Sequence, residues 1–220
     1  MIWTICCSPF TNAVISCINS GVIPAGLNHR YITLIPKVRS PEHVTEFCLI
    51  ALCNILYKLI SKVLANWLKK ILLEIISESQ SAFQSNKAIS DNILVAFEIL
   101  HHMKKRRKGK MGFMTMKLDM SKAYDRIEWD FLLKLMGRMG FQRRWINLIS
   151  TCISTVTYLI LVNSEPKGNI TLIRGIRQGD PISPYLFLLC LEGLIGLIKL
   201  CRRKKLEGSL YAKEAQIFLI

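Results

Sequence analysis

The sequence predicts an α+β fold in which helices pack on a small antiparallel sheet. Three features carry this. Apolar residues recur at helical spacing over 52–72, 181–201 reads as a mostly buried helix, and the runs at 31–35 and 155–162 alternate or are β-branched like strands. Hydrophobic residues make up 51% of the 220, enough for a large core without disulfides or a structural metal.

Taken in order, Asn12 to Asn19 predicts a short helix ended by Gly21 and Pro24, and Tyr31 to Ile35 a strand ended by Pro36-Lys37. From Leu52 to Leu72 the apolar positions 52, 55, 56, 59, 63, 64, 67, 68, 71 and 72 form a helical stripe. Asn54, Lys58, Lys62, Asn66, Lys69 and Lys70 gather on the other face, which is therefore basic. The next helix opens with Ser90 or Asp91 as N-cap and runs to about Met103, with Ile93, Leu94, Phe97 and Leu100 as its expected buried stripe. Residues Gly112 to Leu118 read as a buried strand that delivers Asp119 at its end, and Glu128 to Met139 resumes a helix. Trp145 to Ser154 fits a helix, Thr155 to Val162 a strand, Ile170 to Arg174 its partner, and Pro181 to Cys201 a mostly buried helix. Within that last element, Ile182 to Ile198 is the nearest approach to a membrane span. Pro184 and Glu192 interrupt it and it is short for a bilayer, so a buried helix is expected and no membrane partner.

The formal charge is +15, with twice as many basic as acidic residues, and a polyanionic partner is the natural inference. Part of that charge lies in the run Lys104-Lys105-Arg106-Arg107-Lys108-Gly109-Lys110, which reads equally as a nucleic-acid contact and as a solvated loop. The eight cysteines show neither a C-x-x-C pair nor a matching histidine pair, so they are expected as core thiols in a reducing compartment. Met1 to Ser20 contains no Lys or Arg, the positive leader of a signal peptide is missing, and an intracellular location is expected, nuclear or cytoplasmic.

Two segments could carry chemistry. Lys117-Leu118-Asp119-Met120-Ser121-Lys122-Ala123-Tyr124-Asp125-Arg126 sets a carboxylate where a strand ends, a position from which it can reach a metal ion. Asp119 is the best metal-ligand candidate on this ground; an ordinary helix N-cap is the competing reading, and Asp125 and Asp130 are read as helix-start or surface residues. Arg174-Gly175-Ile176-Arg177-Gln178-Gly179-Asp180-Pro181-Ile182-Ser183-Pro184 couples glycines and arginines to a Pro-punctuated helix start. Its backbone amides could face a phosphate or base, or simply cap a helix.

In this order, and together with Ile32-Thr33-Leu34-Ile35-Pro36-Lys37, Leu52-Cys53-Asn54-Ile55-Leu56-Tyr57-Lys58, Ser79-Gln80-Ser81-Ala82-Phe83 and Ser90-Asp91-Asn92, the two segments resemble the reverse transcriptase of non-LTR (LINE-type) retrotransposons, especially the plant type. The resemblance runs roughly from Trp3 to Glu207. It implies a partial reverse transcriptase domain over 1–207, about 1–110 mainly fingers and 111–207 partial palm, with 208–220 as a divergent tail. It also implies RNA-directed DNA polymerase ancestry, an RNA template, a DNA primer and deoxynucleotides as partners, and Mg²⁺ or Mn²⁺ as cofactor. Residue by residue, Asp119 matches the first catalytic, metal-binding aspartate, and the backbone carbonyl of Met120 a further metal ligand. Tyr124 matches the aromatic position that screens the nucleotide sugar, Gln178 and Gly179 the loop beside the incoming nucleotide and template, and Lys37 a fingers lysine that meets the triphosphate. The basic face from Lys58 to Lys70 would track template backbone or remain solvated.

Three departures stand against activity. No aspartate follows Asp180, so the family's Ala-Asp-Asp pair is missing and the end from Tyr211 to Ile220 reads like a frame change. Cys48, in Phe47-Cys48-Leu49-Ile50-Ala51, stands where the family usually has an arginine that clamps the triphosphate. Gln84-Ser85-Asn86-Lys87 replaces a Pro-Gly-Arg turn that contacts template. An inactive fragment that binds metal weakly is the expectation, with a non-catalytic basic nucleic-acid-binding remnant as the alternative.

Overall fold

The structure, a computed structural model, describes residues 2–77, 80, 88–105, 120–163 and 165–203. The expected strand 112–118, Asp119 and the residues of the basic run after Lys105 lie outside the described residues.

Helix α1 (Ile2–Ser20) leads into strand β1 (His29–Pro36), β2 (Phe47–Cys53) and the long helix α2 (Ile55–Ile75). Helix α3 (Ile89–Lys105) follows, then α4 (Trp129–Arg138), α5 (Arg143–Ser154), β3 (Thr157–Val162), β4 (Glu165–Thr171) and α6 (Ser183–Arg203). The α+β class is as the sequence predicts, but the sheet is mixed rather than antiparallel. Its order is β2-β1-β3-β4; β1 pairs antiparallel with β2 and parallel with β3, from His29↔Thr157 to Thr33↔Leu161, and β3 pairs antiparallel with β4. Alternation along a strand reports which face is buried and carries no information on the direction of a neighbour 120-odd residues away. The β1–β3 pairing also joins the two halves of the chain into one sheet.

Strand β2 escaped the sequence reading, which began a helix at Leu52, because a short apolar run fits a strand and a helix start equally. The partner strand is Glu165–Thr171 rather than Ile170–Arg174, and its side chains are exposed throughout. Pro166 and Lys167 suit such an edge, where one needs no ladder N–H and the other deters further pairing.

Helix α2 starts where Asn54 Oδ1 accepts from the Leu56 N–H at 2.9 Å, leaving the first turn capped. Its buried face is Tyr57, Ile60, Ser61, Leu64, Ala65, Leu68 and Leu72. The expected stripe is therefore rotated: Ile55, Leu59, Trp67 and Ile71 are exposed, since α2 is apolar on more than one side and the face that turns inward is the one carrying Tyr57 and Ser61. The lysines at 58, 62, 69 and 70 are exposed, as expected of a basic face.

Leu132 and Met136 of α4, Ile149 and Cys152 of α5, and Leu186 and Leu189 of α6 close the core against α2. Each fully buried aliphatic side chain contributes about 1.5–3 kcal/mol, and Leu68→Ala would cost about 2–5 kcal/mol through lost burial plus a cavity. Helices α4 and α6 approach closely at Gly193, where an added Cβ would lie 2.8 Å from Leu135 Cδ2. By length and composition Ser183–Leu200 could cross a membrane. In the fold, Leu186, Leu188, Leu189, Leu191 and Ile195 of that helix are core residues.

Helix α3 differs from expectation. Ile93, Leu94, Phe97 and Leu100 form a continuous apolar stripe, yet all are more than half exposed among the described residues. Spacing identifies an apolar face without identifying what covers it.

Candidate functional site

The segment after Asp119 turns sharply. Lys122 takes a left-handed conformation (φ 52°), the Asp125 N–H donates to its carbonyl at 3.0 Å, and one 3-10 turn spans Tyr124–Arg126. Such a conformation is uncommon for a residue with a side chain and needs support from neighbouring structure. The support comes from the second chemical segment. The Ile176 N–H donates to the Tyr124 carbonyl at 2.8 Å, the Gly175 N–H to the Ile127 carbonyl at 2.7 Å, and Trp129 Nε1 to the Gly175 carbonyl at 2.7 Å. Gly175 has φ 91°, and a Cβ there would meet the Asp125 backbone oxygen at 3.1 Å, so both its conformation and its closeness require glycine. The Tyr124 ring packs on Phe187 of α6, centroids 5.1 Å apart, and burial pushes its hydroxyl above the ordinary tyrosine range.

Beneath this junction lies a buried polar cluster drawn from several elements. Asp180 Oδ2 meets Arg30 Nη2 of β1 at 3.3 Å and Arg177 Nε at 3.4 Å, and accepts from the Tyr57 hydroxyl of α2 at 3.1 Å. Asp180 Oδ1 accepts from Ser61 Oγ, which in turn accepts from the Ile182 N–H at 3.2 Å. Arg177 donates to Asn28 Oδ1 at 2.7 Å, to the Tyr57 hydroxyl at 2.5 Å and to the Cys152 carbonyl, while Asn28 Nδ2 reaches the same carbonyl at 3.0 Å. Both guanidiniums lie by the Tyr57 ring, at 5.1 and 4.5 Å from its centroid. Burial raises the Tyr57 pKa well above normal against the opposing pull of Arg177, so the hydroxyl stays neutral. Burial works against the charge of Arg177, but Tyr57 and Asp180 beside it leave its pKa above the ordinary value.

The fold thus brings Tyr124 to within a hydrogen-bonded step of the Gln178–Gly179 turn, and both turn residues are exposed. Met120 is exposed at the start of the same segment. Asp119 lies outside the described residues. Lys37 sits at the β1–β2 hairpin with Nζ donating to the Thr45 carbonyl at 3.1 Å, seven residues along β1 from Arg30, or about 23 Å of strand. Cys48 is exposed on β2, opposite Ile35. The amides of Gly175, Ile176, Ile182 and Ser183, on either side of the turn, all bond within the protein.

Among the described residues, no group of three His, Cys, Asp or Glu side chains could share an ion. Asp180, the carboxylate nearest the turn, does not fit a dication, being 2% exposed and already shared by two guanidiniums. The sequence reading missed Asn28, Arg30, Tyr57, Ser61 and Trp129. One signal was present: Arg30, a charge opening an otherwise apolar strand, which needs an acid partner if that strand is buried.

Residues 35–218 match the family described as reverse transcriptase (RNA-dependent DNA polymerase). The chain belongs to that family. The match extends past residue 207, and membership together with similarity to retrotransposon proteins bears out the resemblance to non-LTR retrotransposon enzymes. One relative is the transposon TX1 uncharacterized 149 kDa protein of Xenopus laevis, 26% identical over 199 residues, 90% of this chain and 15% of that protein. Another is the retrovirus-related Pol polyprotein from type-1 retrotransposable element R2 of Popillia japonica, 26% identical over 176 residues, 80% and 24% of the two chains. An uncharacterized mitochondrial protein of Arabidopsis thaliana is 54% identical over 52 residues, 24% of this chain and 40% of that one. The reverse transcriptase domain here spans a quarter or less of the two longer relatives. Reverse transcriptases generally use divalent metal ions and act on a nucleic-acid template and primer.

Proposed function

We propose that this reverse transcriptase domain retains the nucleotide-facing surface of a retrotransposon polymerase, and that its 220 residues alone do not extend a primer. The observation that supports this reading is the pairing of Tyr124–Ile127 with Gly175–Ile176, which sets the segment following Asp119 beside the Gln178–Gly179 turn. On this reading Asp119 and the Met120 carbonyl face the metal ions, Tyr124 screens the sugar, and Gln178 and Gly179 lie against nucleotide and template. Lys37 approaches the triphosphate from the fingers strand.

Divalent ions supply activation of the primer hydroxyl and stabilisation of the leaving pyrophosphate when bound. The donor set does not fit a pair of them. Two dications about 4 Å apart need more negative charge than Asp119 provides, and Asp180 is committed to Arg30 and Arg177. Cys48 further removes a bidentate phosphate contact. Primer extension on an RNA template with Mg²⁺ or Mn²⁺ is expected to give no product from the 220-residue chain. Extension that is abolished by Asp119→Ala would show the inactivity claim to be wrong.

The exposed lysines of α2 and the charge of +15 favour a second reading, a non-catalytic RNA-binding remnant inside the cell. Its mark is RNA affinity that falls with salt and is unaffected by Asp119→Ala.

A further inference from the structure

We propose that Asp180 and Arg30 are positioning residues: the buried cluster Arg30–Asp180–Arg177 latches the Gln178–Gly179 turn onto β1 and α2. The importance of that turn rests on the nucleotide-facing reading above; the latch itself rests on geometry. Gln178 and Gly179 are exposed, whereas the residues on either side, Arg177 and Asp180, are 5% and 2% exposed. The turn is therefore anchored at both ends and free at its apex. Packing does not hold the apex, because a Cβ built on Gly179 (φ 77°) would meet nothing within 4 Å.

Asp180 is bonded through both oxygens, to Arg30, Arg177 and Tyr57 on one side and to Ser61 on the other. Two cations against one carboxylate make a poor device for stability alone, since buried ion pairs recover their desolvation cost only with excellent geometry. What such a cluster does achieve is one defined placement. Only one position of the turn lets a single carboxylate meet β1, α2 and its own helix start together. Lys37 directly follows the other end of β1, so the latch also sets the turn at a defined distance from the β1–β2 hairpin.

Hydrogen exchange on the full 220-residue chain, read by mass spectrometry, tests this. Residues 174–182 report the turn, and α4 beyond its first turn, residues 133–138, serves as reference because Trp129 is itself bonded to Gly175. Asp180→Asn keeps an acceptor for Ser61 but removes the charge, and Ser61→Ala is the milder variant if the first fails to fold. Each is expected to raise exchange over 174–182 by roughly tenfold or more, with 133–138 little changed. Equal acceleration over 133–138, or none over 174–182, overturns the latch. A primer–template with 4-thiouridine at the templating base is then photo-crosslinked to the wild-type chain and to Asp180→Asn. Crosslinks are expected on 174–182 and should diminish in the variant. Wild-type crosslinks confined to other segments would count against the nucleotide-facing reading, while the exchange result would still decide the latch.

Discussion

Trp129 Nε1 donates to the Gly175 carbonyl at 2.7 Å, and this bond ties the first turn of α4 to the loop that precedes α6. Loop placement and the segment after Asp119 should therefore fail together. Trp129→Phe keeps most of the ring and is expected to cost about 1 kcal/mol. Gly175→Ala is expected to cost more, about 2 kcal/mol or above, because it combines a left-handed φ with a Cβ pressed on the Asp125 backbone. Urea unfolding of the two variants against wild type checks both the direction and the order.

Tyr57→Phe removes the hydroxyl that donates to Asp180 and accepts from Arg177. Both partners stay buried, so a loss of about 1–3 kcal/mol is expected, larger than for an exposed tyrosine such as Tyr31. Thermal unfolding of Tyr57→Phe and Tyr31→Phe, compared side by side, measures the difference.

Alkaline pH should destabilise the fold. Burial pushes the Cys152 and Cys190 thiols up to about 12 from an ordinary 9.0, so in the folded state they keep protons that the unfolded chain releases. Their contribution is complete below pH 9 and is lost as pH rises from there to about 12; Tyr57, raised in the same direction, adds to the loss above pH 10. Denaturant midpoints at pH 8, 9 and 10 should fall in that order. At pH 8 iodoacetamide should label the exposed Cys48 quickly and Cys152 and Cys190 only on unfolding.

Cys48→Arg should leave stability within about 0.5 kcal/mol, because the position is exposed on β2. If it stands where a phosphate clamp belongs, the variant should bind a deoxynucleoside triphosphate more tightly than wild type. Isothermal titration with unchanged affinity would remove that assignment.

RNA affinity should fall linearly with salt on logarithmic axes, and replacing Lys58, Lys62, Lys69 and Lys70 by Gln should flatten the slope by up to about one per phosphate contact removed. Fluorescence anisotropy across salt concentrations distinguishes a helix face that tracks nucleic acid from one that is merely solvated, for which the slope stays unchanged.

Read by itself, the sequence established the α+β class, the existence of most helices and the family. Long periodic runs such as 52–72 and ordered motifs such as Ile32 to Lys37 are local facts that a chain displays without folding. Partnership is not local. That β1 lies parallel to β3, that α2 turns Tyr57 and Ser61 inward while Trp67 faces out, and that Asp180 is held by Arg30 from the other half of the chain are decided only when burial forces each charge to find its opposite. The sequence marked Asp180 only as one residue of a glycine-rich turn; the tertiary structure made it the point where turn, strand and helix meet.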